Sequence, residues 1–333
     1  MNNKFKQKYN IIYVICGAYF KTGGTEVLHQ LVYNINKLGG NAYIAYIKRV
    51  EGYPDCNPAF EEYVRGHIIK AEEIDDCADN AIIIPEGYPK YNYMFKKLHI
   101  IMWWLSVDNF ESVWKFNDDE INEEFNNIRN VVELHLVQSK YAEVYLLNKG
   151  IAGSIIKHLS DYLNDCYFEN ESSTMVDRRE NIILYNPRRG AESTQNIIAT
   201  AKGLRFVAIQ NMSNKEVREL MKKSKIYMDF GNHPGKDRMP REAAICGCVV
   251  ITGKHGSAAY QEDVGIPEKY KFDENEKCVE DVVGVLWDVM FDFEKCSEEF
   301  DSYRRKIIAE KKEFIDDIVS VFFTENVKEF EII

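Results

Sequence analysis

Apolar residues along this chain alternate between short continuous runs and runs with helical spacing. Two continuous runs open the chain, "NIIYVICGA" at 10–18 and "NAYIAYI" at 41–47, and both are typical of strands in a parallel sheet covered on both faces. The segment between them repeats its apolar residues with the period of a helix, at Val27, Leu28, Leu31, Val32 and Ile35. The chain therefore begins with a strand–helix–strand unit, which favours a right-handed crossover.

The same alternation predicts two successive α/β halves with a helical tail. Further strands of the first half are expected within 80–89, which ends in a Pro/Gly loop, and within 98–110, which ends in a polar loop. A polar stretch without periodicity, 167–180, is predicted to link the halves. The second half restarts the alternation with a strand at 181–190, and 279–325 is predicted to form charge-rich helices.

Length, charge and cysteine spacing narrow the classes of function. A chain of 333 residues fits two domains, and its net charge of −11 lacks the basic footprint that nonspecific nucleic-acid binding needs. The chain has no apolar stretch of about 18 residues, so we expect no membrane span. Its cysteines form no CxxC pair and are expected to be reduced thiols of a cytoplasmic protein. The basic start "NKFKQK" leaves open a weak peripheral contact with the inner face of a membrane.

The most polar connection between a strand and a helix is "MDFGNHPGKDRMPREAAICG", residues 228–247. Ligands of open α/β sheets bind outside the carboxyl ends of the strands, which is where this loop falls. We expect Pro240 at the first helical position, so that the helix N terminus, flanked by Lys236 and Arg238, would bind a diphosphate. Glu242 in the first turn could accept hydrogen bonds from a ribose diol, and the alternative is that it only caps the helix.

Neighbouring loops of the second half add candidates for an anionic ligand. Arg188 and Arg189, in "YNPRRG", follow the first strand of that half, and the paired donors of arginine suit phosphate. Gly231 lies in the polar loop described above, and Gly256 and Ser257 lie in the next strand-end loop. The alternative for the arginines is a solvated turn.

The first half offers candidates for a second ligand and for acid–base chemistry. Gly23, Gly24 and Thr25 form the first turn between a strand and a helix, where glycine admits a close backbone approach. Trp104 could stack on a sugar, unless it belongs to the core. Neither a dinucleotide fingerprint nor a Walker sequence is present, which disfavours a dehydrogenase. Three residues are candidate general bases: Asp108, Glu86 and His233.

Taken together, these segments resemble the glycosyltransferases with two Rossmann-like domains, called GT-B. "PREAAICGCVVITG" resembles the sugar-nucleotide signature of the group-1 glycosyltransferases, in which a glutamate binds the nucleotide ribose, and Glu242 matches that glutamate. "GGTEVLHQLVYNINKLGG" and "HLVQSKYAEVYLLNKG" resemble segments of the family's N-terminal domain. "WWLSVDNF" and "YNPRRG" look like a subgroup found among bacterial surface-polysaccharide proteins.

The resemblance implies an α/β fold with two Rossmann-like domains facing a cleft. It implies an acceptor domain at 1–165, a nucleotide-sugar domain at 180–305, and a C-terminal helix at 306–333 that returns to the first domain. The implied reaction moves a sugar from a nucleotide-sugar to a glycan or lipid-linked acceptor, without a metal and without a cofactor beyond the donor. The donor would contact Arg188, Arg189, Gly231, Lys236, Arg238, Glu242, Gly256 and Ser257, and the acceptor would contact Gly23, Gly24, Thr25 and Trp104.

One departure from the family leaves the mechanism open. The group often carries a second glutamate upstream in the same signature, and Pro234 occupies that position here. Retention and inversion of stereochemistry therefore both stay open, and for inversion the expected base is Asp108 or Glu86. A sugar-nucleotide epimerase that uses His233 and Asp237 is an alternative, as is a binding protein without catalysis.

Overall fold

The computed structural model describes residues 5–115, 117–168, 179–275 and 277–325. Contacts within the chain define two compact units. Unit 1 comprises Met1–Gln138, Ala142–Asp161 and Lys312–Ile333, and unit 2 comprises Ser139–Tyr141 and Tyr162–Lys311. Most of the predicted linker at 167–180 lies outside the described residues.

Unit 1 is built on a parallel sheet of seven strands. After a short first strand, β1 (Phe5–Gln7), the sheet strands are β2 (Ile12–Gly17), β3 (Ala42–Ile47), β4 (Ile68–Lys70), β5 (Ala81–Pro85), β6 (His99–Trp104), β7 (Leu134–Val137) and β8 (Ile156–His158). Their spatial order is β4-β3-β2-β5-β6-β7-β8. The order reverses between β2 and β5, because β3 and β4 lie on one side of β2 and the later strands on the other. This reversal is the place where open α/β sheets bind ligands.

The helices of unit 1 follow the predicted alternation. They are α1 (Gly23–Lys37), α2 (Val107–Val113), α3 (Asp118–Val131) and α4 (Lys140–Asn148). The structure corrects one prediction, because the polar end of the segment 98–110, expected to be a loop after the strand, begins α2 at Val107. Ser106 starts this helix, since its side-chain oxygen accepts a hydrogen bond from the backbone N–H of Asn109 at 3.2 Å.

Unit 2 repeats the architecture with a smaller sheet. Its elements are β9 (Glu180–Tyr185), α5 (Ala191–Thr200), β10 (Arg205–Ala208), α6 (Asn214–Lys223), β11 (Ser224–Asp229), α7 (Arg238–Ile245), β12 (Val249–Gly253), β13 (Lys271–Phe272), α8 (Cys278–Phe291) and α9 (Phe293–Glu298). The five strands are parallel in the order β10-β9-β11-β12-β13, so the order reverses between β9 and β11. Helix α6 begins with a capping box, whose members are Ser213 and Glu216.

The C-terminal segment returns to unit 1, as the resemblance implied. Helix α10 (Asp301–Phe322) begins in unit 2, and its residues from Lys312 onward belong to unit 1. A final strand, β14 (Phe323–Glu325), pairs antiparallel with β1. Strands β1 and β14 have three residues each, which is too short for a periodic pattern of apolar residues, so the sequence did not predict them.

Short 3-10 helices and buried cysteines complete the framework. The 3-10 helices lie at Pro58–Phe60, Ala71–Glu73, Pro89–Tyr93, Gly153–Ile155, Asp165–Tyr167, Gly256–Ala259 and Glu268–Tyr270. All eight cysteines are free thiols, and six of them are buried. Among the helices in the described part of the chain, none is both long and apolar enough to cross a membrane.

Candidate functional site

The basic candidates of unit 2 meet where its strand order reverses. Arg188 and Arg189 follow β9, and the polar loop from Phe230 to Asp237 follows β11. Because parallel strands present their carboxyl ends at one edge of the sheet, these two loops lie side by side there. Arg188 is exposed and Arg189 is partly buried.

Two glycines allow the two loops to touch. Gly190 has a left-handed backbone, with φ of 53°, and a Cβ atom there would lie 2.1 Å from the carbonyl oxygen of Phe230. A Cβ atom on Gly231 would lie 2.2 Å from the Cβ of Arg189. Gly231 was predicted to contact a donor, and in the structure its missing side chain makes room for Arg189.

Arg189 belongs to a buried ion network. Its guanidinium pairs closely with Asp237, and the Asp237 carboxylate also lies 3.2 Å from Nδ1 of His233. Burial would raise the pKa of Asp237, but the hydrogen bond and charge of His233, together with the charge of Arg189, hold that pKa down to about 2. Burial would lower the pKa of His233, and the two nearby carboxylates Asp237 and Asp229 raise it instead. The network therefore keeps the Arg189 side chain in a fixed position.

The engagement of His233 in this network argues against its predicted role as a base. Its side chain is 0% exposed, and its Nδ1 faces the Asp237 carboxylate. The two carboxylates that raise the pKa of His233 favour the protonated imidazolium, which cannot accept a further proton. His233 instead orients Asp237, and through it Arg189.

Three of these residues have the chemistry of metal ligands. Atoms of Asp229, His233 and Asp237 all lie within 4.8 Å of one another. However, Asp229 already accepts hydrogen bonds from the Tyr227 hydroxyl at 2.6 Å and the Gly231 N–H at 2.9 Å. Asp237 is already paired with Arg189. We therefore describe the group as an ion network of the protein.

Lys236 has a different partner from the one predicted. Its Nζ lies 3.0 Å from a carboxylate oxygen of Glu310, and its side chain is only 7% exposed. The other oxygen of Glu310 pairs with Arg241 at 2.8 Å. The charge of Lys236 is therefore engaged by Glu310 rather than presented to a phosphate. Sequence reasoning missed Glu310, which lies in α10, far along the chain.

Helix α7 begins earlier than predicted. Its first residue is Arg238, after an N-cap at Asp237, so Pro240 is the third helical residue and Glu242 lies beyond the first turn. Burial raises the pKa of Glu242, while the charge of Arg238 and a hydrogen bond from the Tyr167 hydroxyl oppose this effect. Glu242 thus does not cap the helix, and within the protein its carboxylate accepts from Tyr167 instead.

Gly256 and Ser257 hold the polar loop in place. A Cβ atom on Gly256, whose φ is 55°, would lie 2.1 Å from the carbonyl oxygen of His233. The Ser257 hydroxyl donates to the carbonyl of Gly235 at 2.5 Å, and its N–H donates to the carbonyl of His233 at 2.8 Å. Ser257 is fully buried, so it supports the loop instead of contacting a donor.

In unit 1, Glu86 has the environment of an acid–base group. It follows β5, only 2% of it is exposed, and its carboxylate accepts hydrogen bonds from Leu105 N at 2.9 Å and Asn109 Nδ2 at 3.2 Å. Burial raises its pKa to about 7, against the opposing effect of these hydrogen bonds. Asp108 lies in the first turn of α2 and is partly buried. Both carboxylates therefore lie near the carboxyl ends of the central strands.

The predicted glycine turn is the first turn of α1. Gly23 and Gly24 are its first two helical residues, after an N-cap at Thr22. Thr25 is engaged locally, because its hydroxyl accepts from the N–H of Thr22 at 2.9 Å and donates to the carbonyl of Phe20 at 3.0 Å. These residues shape the helix start, and Gly23 is exposed at its tip.

The expectation that Trp104 stacks on a sugar is wrong. Trp104 is 0% exposed, its ring stacks on Phe125 at 5.8 Å, and its indole N–H donates to His135 at 3.0 Å. Burial lowers the pKa of His135 to about 4, so its ring is neutral and can accept this bond. The tryptophan is part of the core of unit 1, as the alternative had it.

The fold of the chain is that of the GT-B glycosyltransferases, as the sequence resemblance implied. HepE of Anabaena, in a crystal structure with UDP-glucose, is similar over 93% of this chain and 100% of its own, with a TM-score of 0.68 and 10% identity. Sucrose-phosphate synthase of Thermosynechococcus elongatus matches 94% of this chain and 98% of its own, with a TM-score of 0.65 and 12% identity. A glycosyltransferase of Rickettsia africae matches 94% and 99%, with a TM-score of 0.55 and 14% identity.

Sequence comparison adds nothing to this result. No protein-family model matches the chain, and no curated protein matches it. At identities this low the likeness establishes the fold, while the site has to be argued from the residues described above.

Proposed function

We propose that the chain is a glycosyltransferase that takes its sugar from a nucleotide-sugar bound to unit 2. One observation carries this proposal: arginines and a helix N terminus converge at the strand-order reversal between β9 and β11. Cationic side chains and a helix N terminus together favour a diphosphate. HepE, which shares the fold, was crystallised with UDP-glucose, a ligand of this class.

Each residue of the proposed donor site has a role that follows from its surroundings. Arg188 is exposed and would pair with the diphosphate directly. Arg189 is held by Asp237 and would add a preorganised positive charge. Glu242 would accept hydrogen bonds from the ribose hydroxyls, and Arg238 would neutralise the charge beside it. Positive charge around the diphosphate stabilises the leaving group as the sugar departs.

Unit 1 would bind the acceptor, a glycan or a lipid-linked glycan of surface polysaccharide assembly. In an inverting reaction the acceptor hydroxyl forms a bond to the anomeric carbon, and the bond to the diphosphate breaks. The diphosphate leaves with both electrons, and the hydroxyl proton passes to a carboxylate. Glu86 suits this role because its pKa of about 7 lies near neutral pH. Asp108 is the second candidate, and a retaining reaction would need neither.

A thermal-shift assay of the full chain against UDP, GDP, CMP and TDP tests the donor site. A ligand that binds the folded chain raises the melting temperature by mass action. We expect one nucleotide to stabilise wild type, and Arg188→Ala to need about 10-fold more of it, since one charged hydrogen bond contributes about 1.5 kcal/mol. The matched control is Arg205→Ala, another exposed arginine of unit 2, which should bind as wild type does. The absence of any nucleotide effect on wild type would refute the proposal.

Glu242 has its own matched pair of variants. Glu242→Gln replaces the carboxylate that would accept hydrogen bonds from the ribose hydroxyls by a weaker hydrogen-bond acceptor. Tyr167→Phe removes only the hydroxyl that donates to Glu242. We expect the first variant to lose nucleotide affinity and the second to keep it. Equal loss in both variants would mean that Glu242 acts through packing.

A binding protein without catalysis is the second candidate, and two observations favour it. Pro234 replaces the usual glutamate, and Lys236 is engaged by Glu310. Slow release of free sugar from the stabilising nucleotide-sugar, in the absence of acceptor, distinguishes the two. An enzyme hydrolyses the donor in this assay, and a binding protein leaves it intact.

A further inference from the structure

Four aromatic residues, in two contacting pairs, follow the carboxyl ends of three neighbouring strands of the unit 1 sheet, close to its strand-order reversal. Tyr19 and Phe20 follow β2, Tyr53 follows β3, and Tyr88 follows β5. We call these four residues the aromatic platform. None of them was predicted from the sequence to contact a ligand, since Trp104 was the aromatic residue predicted to contact a sugar.

The backbone is held in a costly conformation to present the first of these rings. Tyr19 has φ of 62°, in the left-handed region that bulky residues avoid. Its N–H donates to the carbonyl of Asp55 at 2.7 Å, and its carbonyl accepts from Asn57 Nδ2 at 3.0 Å. These bonds place the Tyr19 ring 4.5 Å from the ring of Tyr53. Residues held in this region concentrate at active sites and ligand clamps, where the surrounding structure fixes their conformation.

The other two rings meet over a glycine. A Cβ atom on Gly17 would lie 2.5 Å from the Tyr88 hydroxyl oxygen and 3.0 Å from the ring of Phe20. Glycine at the last position of β2 therefore lets both rings close over the strand end. Lys48, which also has a left-handed φ of 52°, places its Nζ 4.7 Å from the centre of the Tyr88 ring.

The platform is open to solvent in spite of this construction. Phe20 is 51% exposed and Tyr53 is 56% exposed, Lys48 lies against the Tyr88 ring, and the exposed Lys21 follows Phe20 in the chain. A core cluster would be buried, and an apolar patch with a polar rim marks a binding surface. The position at the strand-order reversal indicates a small rigid ligand rather than a protein.

We propose that the aromatic platform binds a sugar ring of the acceptor glycan by stacking the C–H face of the sugar on Phe20 and Tyr53. This inference rests on the proposed function, because it names the class of acceptor that unit 1 would receive. Aromatic rings offer a flat, apolar surface at little cost in side-chain entropy, and the adjacent polar groups suit the hydroxyls around a sugar. Glu86 belongs to the same strand-end edge.

The test uses the fluorescently labelled full chain and an array of immobilised polysaccharide-derived oligosaccharides. The double variant Phe20→Ala/Tyr53→Ala should lose about 5- to 150-fold in apparent affinity, since two aromatic contacts of about 0.5–1.5 kcal/mol each are removed. The control variant Phe291→Ala removes a phenylalanine of unit 2 that is 95% exposed, and it should bind the array as wild type does. Unchanged melting temperatures would show that the variants fold.

Three results would overturn the inference. Wild type could bind no oligosaccharide on the array, or the double variant could bind as tightly as wild type. In the third, the double variant would co-sediment less with phosphatidylglycerol vesicles than wild type does, while it binds glycans as wild type does. This result would assign the rings to a membrane surface. The nucleotide thermal shift separates this inference from the proposed function. If the double variant still binds the nucleotide, its donor site is intact. If wild type binds no nucleotide, that result counts against the proposed function and not against the aromatic platform.

Discussion

The substitution Glu86→Gln tests the electrostatics of unit 1 most directly. Burial raises the pKa of the Glu86 carboxyl from its ordinary value of 4.5 to about 7. Between these two values the folded chain binds a proton that the unfolded chain releases. The stability that this proton contributes is fully present below pH 4.5 and is lost as the pH rises through 7, because stability falls with pH wherever the folded state binds more protons.

The size of the effect follows from the same two values. A pKa that rises from 4.5 to about 7 corresponds to a free-energy change on the order of 3 kcal/mol. Most of it, about 2.5 kcal/mol, falls between about pH 5 and about pH 8. Glutamine is neutral throughout and keeps one oxygen to accept the bond from Leu105. The free energy of unfolding of Glu86→Gln, relative to wild type, should therefore rise by about 2.5 kcal/mol over that interval.

Urea unfolding followed by tryptophan fluorescence measures this difference. Trp287 is the single tryptophan of unit 2 among the four in the chain, so a Trp287→Phe background makes the signal report on unit 1. Glu62→Gln is the matched control, because the Glu62 side chain is 85% exposed and should show no such dependence. If the curves for Glu86→Gln and wild type stay parallel from pH 5 to pH 8, Glu86 is not a buried carboxyl with a raised pKa.

Two further substitutions test the supports of the unit 2 site. Glu310→Ala leaves Lys236 and Arg241 buried without their shared carboxylate, and should destabilise unit 2 by about 3–5 kcal/mol, seen as faster hydrogen exchange in α7. Glu299→Ala, whose side chain is 31% exposed, is its control and should cost less than about 1 kcal/mol. Gly190→Ala should cost more than about 2 kcal/mol, because it adds a backbone clash to the left-handed strain. Its control Gly203→Ala, with φ of 92° and no contact closer than 3.8 Å, should cost about 1–2 kcal/mol; equal losses would remove the argument for the clash.

The elements of the fold could be predicted because the rules that form them are local. The apolar run of β2 and the helical spacing of α1 lie within single segments, and so does the capping box of α6. The short helix α2 was missed, because seven residues after a polar turn show too little periodicity to distinguish a helix from a loop. Pairing of β1 with β14 joins the two ends of the chain, and no local pattern of three residues can announce it.

The position of the polar loop was predicted, but the partners of its charged side chains were not. A polar strand-end loop with two glycines and one lysine is visible in the sequence, and the loop does lie at the strand-order reversal. Whether Lys236 can bind a phosphate depends on its ion pair with Glu310. Glu310 lies in α10, several helices and strands further along the chain. Tyr167, which donates to Glu242, lies at the edge of the stretch that the sequence marks as a linker.

Residue type alone therefore ranks the candidates poorly, and the burial of each side chain ranks them better. Trp104 and Phe20 are both aromatic residues near strand ends, yet Trp104 is fully buried and Phe20 is 51% exposed. The difference arises because Trp104 is the last residue inside β6, whereas Phe20 lies beyond β2 in a turn that the left-handed backbone of Tyr19 directs outward. A side chain inside a strand of a parallel sheet is covered by the flanking helices. A side chain in the loop beyond the carboxyl end of a strand lies at the edge where ligands bind. The same reasoning separates Arg188, exposed after β9, from the neighbouring Arg189, which Asp237 holds in place.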